Sequence, residues 1–222
     1  MSQSTTGSGK NALNALLTPI KKKPKEATKH SKGWKLLKKG EDTVRKREVK
    51  AVLFDLDGVL VDSEDAWFYV INDARRHFRL NPISKSDFSR RFGAPIEEDV
   101  KILFKGRTIK EVEHFYNSDF RKRAKHVKLF PQSKIVLKKL KNKKVKLGLI
   151  SNSTTLIVSA VLGRFMLKKY FNVVVTMDNV KRGKPAPDMA LKACRLLKVK
   201  PENTILVGDT KNDMIAGKRA GC

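Results

Sequence analysis

From residue 49 onward, short apolar runs alternate with longer stretches in which apolar residues recur every three or four positions. Val52-Leu53-Phe54 has no polar side, the pattern of a strand covered on both faces in a parallel sheet. Further strands are predicted over 145–150, 173–176 and 204–207. A helix is expected from an N-cap at Ser63 to about Phe78, with Trp67, Phe68, Val70, Ile71 and Ala74 on its apolar side and Asn81-Pro82 ending it. Residues 84–127 hold three helical segments, at about 84–91, 95–105 and 108–125, broken by Gly93, Pro95 and Gly106. Pro131 opens a helix to about Leu140. Others are predicted over 154–165 and 188–197, and a last one starts near Asn212 or Asp213. Strands alternating with helices predict an α/β fold, a parallel sheet with helices on both faces, here with an all-helical insertion. The expected organisation is a tail over 1–48, a core over 49–63 and 128–222, and a helical insertion over 64–127.

Composition sets the tail apart. The 222 residues suffice for one α/β domain plus a smaller insertion, and 40% hydrophobic residues suffice for a core. Lys and Arg number 49 against 22 Asp and Glu, a net charge of +27. Residues 1–50 hold 14 of those cations against 4 acids. The tail is denser in charge but the whole molecule is basic, and the charge reads either as attraction to polyanions or, the favoured reading, as a solvated lysine-rich surface. Residues 1–9 are Ser/Thr/Gly-rich and expected to be disordered, 11–20 allow a brief amphipathic helix cut by Pro19, and 21–39 form a lysine-rich linker around Trp34. Nonspecific nucleic-acid contact and a solubilising arm are the two readings of that linker. Two cysteines, Cys194 and Cys222, are too few for a disulfide framework and suit a reducing cytoplasm. No apolar run is long enough to cross a membrane, and neither a secretory signal nor an Arg-rich transit peptide is evident.

The chemistry gathers where strands end. Asp55 and Asp57 follow the first strand at once, and two carboxylates so close repel unless a cation or a shared proton compensates. A calcium loop would need an oxygen ligand where Val59 stands. Because parallel strands bring their carboxyl ends to one rim, Asp55, Asp57, Ser151, Asn152, Lys184, Asp209 and Asp213 are expected to converge there. Carboxylates and a lysine around Mg²⁺ suit phosphoryl transfer, in which the oxygens of the transferred group must be neutralised.

These residues also carry a resemblance. Asp55-Leu56-Asp57-Gly58-Val59-Leu60, Ser151-Asn152, Lys184 within Gly-Lys-Pro-Ala-Pro-Asp, and Gly208-Asp209-Thr210-Lys211-Asn212-Asp213 resemble, in order and spacing, the four motifs of the haloacid dehalogenase superfamily. The helical insertion is similar to the cap of its phosphoglycolate phosphatase and β-phosphoglucomutase branch. The resemblance implies a Rossmann-like core, with Asp55 as nucleophile and Asp57 as general acid and base. It implies Mg²⁺ held by Asp55, the Asp57 main-chain carbonyl and Asp209, with Asp213 behind them on a water ligand of the ion. Ser151, Lys184 and Asn152 would take the phosphoryl oxygens. Halide-releasing members typically lack an acid at the Asp57 position, so a phosphate ester or anhydride is implied. Arg90 and Arg91 would lie near where related caps face the site, able to contact a second anionic group.

The expected activity is therefore Mg²⁺-dependent phosphatase action on a small phosphorylated metabolite, by a monomer or dimer without membrane contact. A phosphomutase uses the same motifs, and a basic nucleic-acid-binding protein on an inactive scaffold is the reading from a different class. Family members usually continue past a segment like 216–222 into another strand, so an unprotected sheet edge beyond residues 205–207 and reduced stability are expected.

Overall fold

The computed structural model describes residues 48–222. The expectations for the tail (disorder over 1–9, a helix over 11–20, the linker over 21–39 and nucleic-acid contact through it) lie outside the described residues. Strand β1 (Ala51–Phe54) is buried along its whole length. Val52 and Phe54 enter one core, while Ala51 and Leu53 enter another. That alternation between two cores explains why the run has no polar side.

A two-residue strand, β2 (Val61–Asp62), leads into α1 (Glu64–His77), α2 (Lys85–Ser89), α3 (Ile96–Leu103) and α4 (Ile109–Arg123). The chain returns through β3 (Lys128–Leu129), which runs antiparallel to β2 and pairs Leu129 with Val61 and Lys128 with Asp62. There follow α5 (Pro131–Asn142), β4 (Lys146–Ser151), α6 (Thr155–Arg164), β5 (Val173–Thr176), α7 (Asp188–Leu197), β6 (Thr204–Val207) and α8 (Lys211–Ala220). The main sheet has the order β5-β4-β1-β6, with every pairing parallel. Val136 and Leu137 of α5 and Ile157 and Val161 of α6 cover the side holding Phe54. Met189, Ala193 and Leu197 of α7 cover the side holding Leu53. This is a Rossmann-like parallel sheet with helices on both faces, and β6 forms one edge of it, its Ile205 38% exposed.

Between β2 and β3 the helices share an aromatic core. Phe88, Phe104, Tyr116 and Phe120 are buried, and Trp67 sits 5.5 Å from the Tyr116 ring and 5.0 Å from the Phe120 ring. Among the described residues, no helix is long and apolar enough to cross a membrane.

Local chemistry moves several boundaries. β3 was not expected, because two residues show no periodicity. Helix α2 stops at Ser89, two residues short of expectation. Helix α8 begins at Lys211, one residue early, because Thr210 is its cap: the Asp213 N–H donates to Thr210 Oγ1 at 3.3 Å and the Thr210 N–H donates to Asp213 Oδ2 at 3.1 Å. Ser63 occupies the N-cap position of α1, but its hydroxyl does not cap the helix. It donates instead to Asp57 Oδ1.

Candidate active site

β1 delivers Asp55 to the rim still in register, its N–H bonded to Val207 O at 2.9 Å. The residue is 6% exposed, and Oδ1 accepts from the Leu56 N–H at 2.7 Å and faces Lys184 Nζ at 2.8 Å. Burial pushes the Asp55 carboxyl well above its ordinary range, against the pull of Lys184. Asp57 sits one turn on, raised likewise by burial and opposed first by the Ser63 hydroxyl, then by Lys184 and by the Trp67 and Ser153 side chains. Lys184 is buried between Asp55 and Asp213, with Nζ 2.6 Å from Asp213 Oδ1. Burial works to lower its pKa, but the two carboxylates outweigh it and hold the ammonium raised.

β4 ends on Ser151, which is buried, and its Oγ accepts from the Ser153 N–H at 3.2 Å. Asn152 lines the cleft, and its amide also spans the main chain of Lys184. Its Oδ1 accepts from the Lys184 N–H at 2.8 Å and its Nδ2 donates to Lys184 O at 3.0 Å, so it fixes the loop that carries the lysine. Asp209 follows β6, and burial, then the Asp213 charge, pushes it up to about 7. Asp213 Oδ2 is taken by Thr210.

Three carboxylate oxygens, one each from Asp55, Asp209 and Asp213, lie within 4.8 Å of one another. Asp209 Oδ1 is buried with no hydrogen-bond partner. With Asp57 beside them, four carboxylates face a single ammonium. A hard divalent cation fits this donor set, because it would satisfy the orphaned oxygen and offset the excess negative charge. Gly58 makes the packing possible: its φ is +72°, and a Cβ there would lie 2.0 Å from Asp209 Oδ2. Gly58→Ala is therefore expected to lower the melting temperature and to remove any shift of the melt on adding a divalent cation, read by thermal melts with and without Mg²⁺.

Over residues 52–222 the sequence matches the haloacid dehalogenase-like hydrolase family. The chain belongs to that family. A phosphorylated carbohydrates phosphatase of Thermotoga maritima is 32% identical over 178 residues, covering 78% of this chain and 82% of that one. Pyrophosphatase PpaX of Anoxybacillus flavithermus is 28% identical over 173 residues, covering 78% and 80%. A putative β-phosphoglucomutase from Thermotoga maritima has a crystal structure that aligns with a TM-score of 0.61 at 29% identity, covering 78% and 82%.

In this haloacid dehalogenase-like hydrolase the cleft runs from the sheet rim to the helical insertion, and its walls correct one expectation. Arg91 lines the cleft, 3.7 Å from Glu98, but Arg90 does not. Because α2 ends at Ser89, the two side chains diverge, and Arg90 folds back on exposed Asp87. Trp67 lines the cleft although its spacing read as core. Among the described residues, contacts that tie the insertion to the core include Thr154 Oγ1 donating to Asn117 Oδ1 at 2.5 Å and Asn212 Nδ2 donating to Gly93 O at 3.4 Å. No sequence signal marked them, since each joins positions far apart in the chain.

Asp99 of α3 also lines the cleft, accepting from Tyr116 Oη at 3.3 Å. Burial pushes it up to about 7 from an ordinary 3.8, with the Tyr116 donor working to lower it and Glu98 and Arg91 the nearby charges. A carboxyl raised by folding favours the folded state only while protonated, so its contribution is lost as the pH rises from about 4 to about 7. Asp99→Asn is expected to leave the melt near pH 4 unchanged and to raise the melting temperature at pH 8.

Proposed function

We propose that the chain is a Mg²⁺-dependent phosphatase that hydrolyses a small phosphorylated metabolite through a phosphorylated Asp55. The observation that carries this reading is the pairing of two carboxylates, Asp55 buried and Asp57 half-buried, in different states of restraint. Asp55 Oδ1 is held by Lys184 and the Leu56 N–H, which leaves Oδ2 for attack, while Asp57 has burial to keep its proton and Ser63 to fix its orientation.

In the first step an Asp55 oxygen attacks phosphorus, the ester P–O bond breaks, and the leaving oxygen takes its proton from Asp57. In the second, Asp57, now a carboxylate, accepts a proton from the water that attacks phosphorus, and inorganic phosphate leaves Asp55. Lys184 neutralises charge beside Asp55 in both steps, and the Ser151 hydroxyl donates to a phosphoryl oxygen. Asp55 and Asp209, with the Asp57 main-chain carbonyl, would hold Mg²⁺, and Asp213 would stand behind them bound to Lys184. The ion supplies further neutralisation of the phosphoryl oxygens when bound. The unpartnered oxygen of Asp209 supports that assignment.

The test is phosphate release from a generic aryl phosphate. The reading expects release with Mg²⁺ and none with EDTA. A folded protein that releases no phosphate from any of a panel of sugar and aryl phosphates would count against it. The likeness to a putative β-phosphoglucomutase favours a second reading, in which the phosphoryl group passes to a sugar hydroxyl instead of water. A strict requirement for a bisphosphate activator would favour that transfer. We also propose that residues 64–127 act as a cap over the cleft, joined to the core through the β2–β3 pair.

A further inference from the structure

Positive charge is not spread evenly over this chain. Residues 48–119 carry 11 Lys and Arg against 14 Asp and Glu, and residues 178–222 carry 10 against 5. Residues 120–177 carry 15 and no acid at all. A surface kept soluble by lysine would mix the two signs, as the other segments do.

The fold gathers much of this run at one place. The end of α5 and the start of β4 supply Lys141, Lys143, Lys144 and Lys146, and the turn before β5 supplies Lys168 and Lys169. All six are exposed. The two groups touch, because Lys141 Nζ donates to Lys169 O at 2.7 Å. Within residues 120–177, ion pairs are confined to Lys122, Arg123 and Lys128 among the described residues. The six lysines thus face no carboxylate.

They also lie at the far end of the sheet from the cleft. Lys146 opens β4 and Ser151 closes it. Five steps of about 3.3 Å put roughly 17 Å between the two. The chain enters β1 at this same end, where the Lys146 N–H donates to Lys50 O at 3.0 Å. Residues 1–47, which precede that point, add 13 Lys and Arg against 3 acids.

We propose that this lysine-covered end of the sheet is a docking surface for the phosphate backbone of nucleic acid, bound without sequence preference. Lysine is a point charge suited to phosphate and lacks the planar fork that reads base edges. Along the chain the large apolar residues exposed near these lysines, Met166 and Val49, occur singly, whereas a membrane-binding face needs a continuous apolar stripe to insert. Nucleic acid held there leaves the cleft open, so the surface places the enzyme without entering its chemistry.

The test uses the full chain and a quadruple variant, Lys143→Gln, Lys144→Gln, Lys168→Gln and Lys169→Gln, none of which touches the cleft. Binding to a labelled mixed-sequence DNA duplex and to an RNA single strand is followed by anisotropy across a salt series. The wild type is expected to bind both, with log K falling linearly in log salt. The variant should bind about tenfold or more weakly, and its slope on duplex should shrink by about 0.9 for each phosphate that it no longer neutralises. Phosphate release should be unchanged. Equal affinity and slope in the two proteins would overturn the proposal, as would binding to vesicles of anionic lipid with none to either nucleic acid.

Discussion

Asp55→Asn is expected to reduce phosphate release by about 10³-fold to 10⁶-fold, the range seen when a covalent nucleophile is removed. The loss should appear in kcat with substrate still bound, because Lys184 and Ser151 remain. It should also come without unfolding. Burial, then the charges of Asp213, Asp57 and Asp209, disfavour an ionised Asp55, and the neutral amide removes that conflict. Lys184 keeps Asp213 as a partner at 2.6 Å. Without added cation the variant should therefore melt at or above the wild-type temperature. An inactive variant that melts far lower would mean that Asp55 is chiefly a structural partner of Lys184.

Lys184→Met is expected to be the most destabilising single change in the site, at about 3–5 kcal/mol by urea unfolding, because removing one partner of a buried ion pair strands the other. Two carboxylates are stranded here. Lys184 is 4% exposed and bonds both Asp55 and Asp213. The effect has a pH signature. Burial works to raise Asp213, but Lys184 holds it below its ordinary 3.8. A carboxyl depressed by folding adds stability above its unfolded pKa and loses it as the pH falls through the folded one. The variant lacks that contribution, so its deficit should be large at neutral pH and shrink in acid. Asp55→Asn combined with Lys184→Met should cost less than the sum of the two, with a coupling of about 0.5–3 kcal/mol. Strict additivity would show that the two groups do not interact.

What the sequence made legible is what repeats or stands next to a strand end. Val52 to Phe54 and the run before Ser151 declared themselves as buried strands, and the carboxyl-end rule then placed Asp55, Ser151 and Asp209 together before any coordinate. The family followed from the spacing of the same residues. What escaped depends on directions that periodicity does not encode. Ser63 had the spacing of a cap, yet the Asp57 carboxylate competes for its hydroxyl and takes it. Asn152 read as a phosphate ligand, and nothing in the pattern showed that its amide also bonds the Lys184 main chain at both ends. Arg90 and Arg91 are neighbours in sequence and part company once α2 ends. Asp99 gave no signal in a helix with Glu97 and Glu98 beside it, and only burial in the cleft distinguishes it.

The central claim is a covalent phosphoryl group on Asp55, and borohydride trapping tests it most directly. The substrate should be an aryl phosphate with a strongly acidic phenol, which leaves without a proton from Asp57. In Asp57→Asn the intermediate then forms but lacks the base that activates water for its hydrolysis. Quenching with borohydride reduces an aspartyl-phosphate to homoserine, which peptide mass spectrometry locates. The account predicts homoserine at position 55 and nowhere else, and only when Mg²⁺ is present. Phenol release in that variant with an unmodified Asp55, or with the label at another residue, would contradict it.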